Sequence, residues 1–168
     1  HFHFRGKSGK VFDLDVRDRT LASIVAECED LPGQALFEYV DADGDVRSVE
    51  SGDVNEYIKA CAGAEFTAKD FRTWAGTILA ARALRRCDPC DGRTRAEKNV
   101  VGAIKEVSAQ LGNTPAVCRR AYVHPAVIDA YRCGLLDAIR RGARAEERAI
   151  AAVVRRAAQP SSSSISAR

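Results

Sequence analysis

The first sixteen residues alternate. Phe2 and Phe4 fall on one side of the run 1–5, while in 10–16 Phe12, Leu14 and Val16 face one way and Asp13 and Asp15 the other. Period-two alternation marks a half-buried strand, because successive side chains of an extended chain point to opposite faces. Two such runs around Gly6-Lys7-Ser8-Gly9 predict a β-hairpin with Lys7 near its tip. After Asp18 the period lengthens: Leu21, Ile24, Val25 and Cys28 make one helical face, stopped by Pro32-Gly33. Runs 36–40 and 46–49, split by Asp41-Ala42-Asp43-Gly44-Asp45, predict a second short hairpin. A helix carrying Val54, Tyr57, Ile58 and Cys61 follows.

The rest of the chain reads as helices. Thr67-Ala68-Lys69-Asp70 resembles a capping box with Asp for Glu, and it opens a helix whose predicted buried stripe is Phe71, Trp74, Ala75, Ile78 and Leu79. Arg72 lies beside that stripe. The stretch 87–93, with Pro89 and Gly92, reads as a loop. Thr94-Arg95-Ala96-Glu97 predicts a second capping box, with Val100, Val101, Ile104, Val107 and Leu111 as the apolar face and Gly112 as the stop. Asn113-Thr114-Pro115 starts a helix running to about Tyr122, and His124-Pro125 starts another. An Arg- and Ala-rich helix is predicted over 135–158, with 159–168 a disordered tail. The expected fold class is therefore mainly α with a small β-hairpin element, one domain over 1–158.

Composition narrows the class. With 46% hydrophobic residues among 29% charged ones, the chain reads as a soluble globular protein, without a run long enough for a membrane span or a signal peptide. There is no methionine, and the chain opens at His1 inside a predicted strand. It is therefore expected to be an incomplete piece, with some of its machinery upstream. The net charge of +3 is unevenly placed: residues 1–60 carry 7 Lys and Arg against 13 Asp and Glu, and residues 132–168 carry 8 against 3. A basic second half suggests a face for a polyanion. Cys87 and Cys90 form the only CxxC pair, with no second pair or HxxxH to complete a zinc site. The six cysteines read as free thiols of a reducing cytosol.

Three segments carry chemistry: Phe4-Arg5-Gly6-Lys7-Ser8-Gly9-Lys10, Lys69-Asp70-Phe71-Arg72-Thr73-Trp74, and the run from Leu111-Gly112-Asn113-Thr114-Pro115 to Arg119-Arg120-Ala121-Tyr122. In this order, over residues 2–133, they resemble the catalytic domain of the type IB DNA topoisomerases, the poxvirus and bacterial branch in particular. The last segment is the most specific, with its Tyr nine residues after a polar donor. The resemblance implies the DNA breaking-rejoining fold. It also implies Tyr122 as nucleophile, Arg72 and Asn113 as donors to the scissile phosphate, and Lys7 as general acid. Lys10, Lys69, Thr114, Arg119 and Arg120 are the expected DNA contacts. Asn113 stands where the poxvirus enzymes have His. A further arginine is implied on a helix before the hairpin, so the chain by itself is expected to be inactive or impaired. The implied partner is double-stranded DNA, met by a monomer in the bacterial cytoplasm or nucleoid; the Arg- and Ala-rich, Lys-poor usage also suggests a GC-rich bacterial genome.

The residue types suit that chemistry. Reversible phosphodiester cleavage calls for a covalent protein–phosphate intermediate, which a tyrosine phenol can form. Charge on the non-bridging oxygens needs positioned donors, and the planar fork of Arg72 matches two of them. No metal or nucleotide is required, and no cofactor is expected. Gly6-Lys7-Ser8 contains the Gly-Lys-Ser of a phosphate-binding loop but lacks the upstream glycine and spacing. Two alternatives remain. A tyrosine recombinase shares the fold, the hairpin lysine and the tyrosine, but usually has His-x-x-Arg where Lys69-Asp70-Phe71-Arg72 stands and His where Asn113 stands. A DNA-binding domain without catalysis would form no covalent adduct.

Overall fold

The first two strands are held together by an aromatic pair. The computed structural model describes residues 1–6, 9–63, 65–87, 92–139 and 143–158. In it β1 (Phe2–Arg5) and β2 (Val11–Leu14) run antiparallel with Phe4 opposite Phe12. Their rings stack with centroids 5.1 Å apart, a cross-strand contact that selects this register. Gly6 N–H donates to the Lys10 carbonyl at 2.8 Å and closes the base of the turn. Lys7 and Ser8, at the expected tip, lie outside the described residues, as do Cys90 and the expected tail 159–168.

Asp18 starts α1 (Arg19–Glu29) by accepting from the Leu21 N–H at 3.0 Å, and the helix ends before Pro32. The second hairpin is present but short, β3 (Glu38–Val40) against β4 (Val46–Ser48). Its turn is built on one carboxylate. Asp41 Oδ1 accepts from the N–H groups of Asp43 and Asp45 at 3.0 and 2.9 Å, and its Oδ2 from Arg47 Nε at 2.9 Å. The Arg47 guanidinium first, and then the Asp45 N–H, hold this carboxyl below its ordinary value. The helix α2 (Ser51–Ala62) follows, with Asp53 accepting from the Glu50 N–H at 2.7 Å.

The chain divides into two compact units, His1–Ala68 and Lys69–Arg168. No described residue of the first is buried. The core belongs to the second, whose helices are α3 (Ala68–Arg85), α4 (Arg93–Leu111), α5 (Pro115–Ala121), α6 (Pro125–Arg132) and α7 (Ala143–Ala158). Val100, Ile104 and Val107 recur on one face of α4 and pack with Ile78, Leu84, Val127, Leu136 and Ile150. The mainly helical class with a small β element is what the periodicity predicts.

Three local expectations are corrected. The α3 stripe includes neither Phe71, 60% exposed, nor Ala75; the helix buries its second half through Ile78 and Leu84 and through small residues, Ala80, Ala81 and Ala83. Side chains this small let neighbouring helices approach, so the buried face is wider than a count of large apolar residues suggests. The box at Thr94 does not cap α4, which begins one residue earlier, after Gly92, with no side-chain cap bond. Finally, 135–139 is turn and bend where a helix is expected, and the described helix α7 is Ala143–Ala158. Leu136 and Ile139 are buried there all the same, so their apolar character reflects core and not helix. Glu146 then ties α7 to α3: it accepts from Arg82 Nε at 2.8 Å and from Arg85 Nη1, while Arg85 Nη2 donates to the Ile139 carbonyl at 2.6 Å.

Candidate active site

The chain reverses sharply after α4. Gly112 takes a left-handed conformation at φ 73°, where a side chain would be strained. The Asn113 N–H turns back to the Ser108 carbonyl at 2.9 Å. Thr114 then starts α5 by accepting from the Val117 N–H at 3.3 Å, with Pro115 as first helical residue. The cap is thus Thr114, which leaves the Asn113 side chain for other work. After two turns, anchored by fully buried Cys118, the helix ends at Tyr122, whose N–H donates to the Cys118 carbonyl at 2.9 Å. Burial pushes the Cys118 thiol pKa up, as suits a packing residue. His124 is a helix-start residue: its Nδ1 accepts from the Ala126 N–H at 3.2 Å.

Arg72 and Asn113 meet on one backbone carbonyl, and Arg72 also lies against the Tyr122 ring. Arg72 Nη2 donates to Leu111 O, and Asn113 Nδ2 donates to the same oxygen at 3.3 Å. The Arg72 guanidinium carbon lies 5.3 Å from the centroid of the Tyr122 ring, within range of a cation–π contact. Arg72 is exposed, and Asn113 and Tyr122 are half-buried. A guanidinium has five N–H donors. Leu111 takes one, which leaves a planar cationic fork beside a phenol and a side-chain amide. That arrangement can hold an oxyanion in front of a nucleophile.

What backs this cluster was not anticipated from the residues alone. Thr73, Gly76 and Thr77 lie on the same face of α3 as Arg72, and the backbone from Ala121 to His124 passes against them. Thr73 Oγ1 stands 3.3 Å from the Ala121 carbonyl, and Thr77 Oγ1 accepts from the His124 N–H at 3.1 Å. A Cβ built on Gly76 would lie 2.3 Å from the Tyr122 carbonyl oxygen. The available signal was the spacing of two threonines and a glycine three and four residues apart, inside a helix read as an apolar stripe.

The other expected residues scatter. Lys69 is exposed in the first turn of α3, and its carbonyl accepts from Thr73 Oγ1 at 3.0 Å. Arg119 and Arg120 are exposed in the last turn of α5, and Thr114 is exposed at its start. Lys10 belongs to the first unit, its ammonium 5.6 Å from the Phe12 ring centroid. Among the described residues no group of three His, Cys, Asp or Glu could hold a metal ion. Among them, too, no helix is long and apolar enough to cross a membrane.

A relative in Acanthamoeba polyphaga mimivirus, named DNA topoisomerase 1B, is 32% identical over 138 residues. The match covers 77% of this chain and 41% of the relative, so the chain spans less than half the length of the relative it matches. That relative is viral, and it lends no support to the bacterial source suggested by composition. Residues 1–147 match the catalytic core of eukaryotic DNA topoisomerase I, a span that includes both hairpins, Arg72, Asn113 and Tyr122. The match decides between the two resemblances that the motifs left open, and the chain belongs to the DNA topoisomerase I catalytic-core family.

Proposed function

We propose that the protein relaxes supercoiled double-stranded DNA by cutting one strand through a covalent link to Tyr122 and then rejoining it, without ATP or metal. The observation that carries the reading is that Arg72, bound with Asn113 to the Leu111 carbonyl, lies against the Tyr122 ring, within a chain of this family. In the forward step the Tyr122 phenol oxygen bonds to phosphorus and gives its proton to solvent water. The bond from phosphorus to the 5′ oxygen breaks, and that oxygen takes a proton from Lys7. Arg72 and Asn113 donate to the non-bridging oxygens, where negative charge grows in the transition state. Rejoining is the reverse: the freed 5′ hydroxyl attacks the phosphotyrosine and the phenol leaves. The ester conserves the energy of the broken bond, so no nucleotide is consumed.

Lys69, Arg119, Arg120, Thr114 and Lys10 serve in this reading as contacts to the DNA backbone, which position the protein without reading bases. The experiment is relaxation of a negatively supercoiled plasmid by the natural full-length protein in buffer containing a chelator and no ATP. Wild-type protein should relax it, and Tyr122→Phe should not, while both bind the plasmid equally. Only the phenol oxygen is removed, so packing of the ring is kept. Relaxation by the Phe variant would overturn the assignment. Absence of any denaturant-stable protein–DNA adduct with the wild type would leave DNA binding without catalysis.

A further inference from the structure

One face of α3 does two things at once. Arg72 stands on it beside the Tyr122 ring, and Thr73 next to it, with Gly76 and Thr77 one turn further on, lie against the backbone that bears Tyr122. Each contact falls on a successive peptide group. Thr73 Oγ1, whose one proton is shared with the nearer Lys69 carbonyl, reaches the Ala121 carbonyl, Gly76 lies against the Tyr122 carbonyl, and Thr77 Oγ1 takes the His124 N–H. Thr77 is 1% exposed, and its own proton goes to the Thr73 carbonyl at 2.7 Å, so its hydroxyl is oriented by the helix before it accepts. Tyr122 itself has ended α5 and is separated from α6 by two residues, so helical hydrogen bonding holds it only from the Cys118 side. The grip of α3 supplies the rest.

We propose that Thr77, with Thr73 and Gly76, forms a positioning site that sets the Tyr122 phenol against the Arg72 guanidinium. It does so by registering the nucleophile's backbone on the helix that carries the arginine. The inference rests on the reading of Tyr122 as nucleophile and adds to it the group that aims the phenol. None of the three residues touches DNA or the reacting atoms in this role. Their effect is on geometry, and a misplacement of about 1 Å is enough to cost on the order of a hundredfold in rate.

The test is single-turnover cleavage of a DNA duplex whose released strand is too short to be rejoined, with covalent adduct counted after denaturation. The natural full-length protein is compared with Thr77→Val, Thr77→Ser and Gly76→Ala. Valine keeps the volume and removes the acceptor; serine keeps the acceptor and removes a methyl. Thr77→Val should cleave about tenfold to a hundredfold more slowly. It should still reach the wild-type amount of adduct and bind DNA within about twofold of wild type. Thr77→Ser should recover most of the rate, and Gly76→Ala should be slow like the valine variant. A purely structural role gives the other pattern, less adduct formed at an unchanged rate constant, because fewer molecules are folded. That result, or a wild-type rate for Thr77→Val, overturns the positioning role and leaves the nucleophile assignment standing. If wild-type protein forms no adduct at all, the parent reading falls and the positioning role with it.

Discussion

Arg72 and Lys7 can be told apart by the leaving group. A general acid protonates a poor alkoxide, and removing one slows the step about a hundredfold or more. A substrate with sulfur at the 5′ bridging position leaves as a thiolate and needs no such proton. Lys7→Ala should therefore be slow on ordinary DNA and largely rescued on the sulfur substrate. Arg72→Ala should be slow on both, because charge on the non-bridging oxygens develops whichever group leaves. Equal defects of Lys7→Ala on the two substrates would remove it from the acid role. At this scale the sequence was legible through the motifs of the resemblance: Tyr122, Arg72 and Asn113 were nameable from them, and Arg72 shares the Leu111 carbonyl with Asn113 and lies against the Tyr122 ring. It was silent on Leu111, whose contribution is a carbonyl that any residue would bring. It was silent too on Thr77, since a buried hydroxyl that ties two backbones looks like an ordinary helix residue until its partner is seen.

Helix starts with a side-chain cap were the most legible elements. Asp18 accepts from the third residue on, as its spacing requires, whereas α5 is capped by Thr114 and not by Asn113, and α4 follows Gly92 with no side-chain acceptor, so the Thr94 box misplaced its start. The largest displacement was α7. Its Arg- and Ala-rich composition reads as continuous helix, yet the described residues 135–139 are turn and bend and bury Leu136 and Ile139. The lock that orders α7 is long-range: Glu146, 61 and 64 positions from Arg85 and Arg82, accepts from both. The Arg85 and Glu146 side chains are only 15% and 12% exposed, so this pair is far from a screened surface bridge. Glu146→Ala leaves two arginines beside each other without their acceptor. It should cost about 2–4 kcal/mol of stability, in the range for a half-buried pair broken from one side. Thermal unfolding followed by circular dichroism reads this, and an unchanged midpoint would show that α7 is held by Ile150 and its apolar neighbours alone.

Across the whole chain, charge and burial divide in different ways. The core lies within Lys69–Arg168, while the described part of His1–Ala68 buries nothing and carries the acidic excess. Basic residues of the second unit differ in whether an acid already holds them. Arg132 donates to Glu97 at 2.6 Å and to Asp129 at 2.9 Å, and Arg82 and Arg85 share Glu146. Arg119 and Arg120 are exposed in the last turn of α5, with no ion pair among the described residues, directly before Tyr122. A phosphate contact releases counterions, and each one adds about 0.9 to the slope of log affinity against log salt. Unpaired cations beside Tyr122 should thus set the salt dependence, and paired ones should not. Arg119→Ala and Arg120→Ala should each weaken DNA binding at low salt and lower the slope by about one unit. Arg132→Ala should leave the slope as it is, because in the folded protein its charge is already met by Glu97 and Asp129. Fluorescence anisotropy of a labelled duplex across a salt series measures all three. A slope unchanged by loss of Arg119 and Arg120 would move the DNA backbone away from the end of α5, and a slope lowered by Arg132→Ala would mean that DNA displaces Glu97 from it.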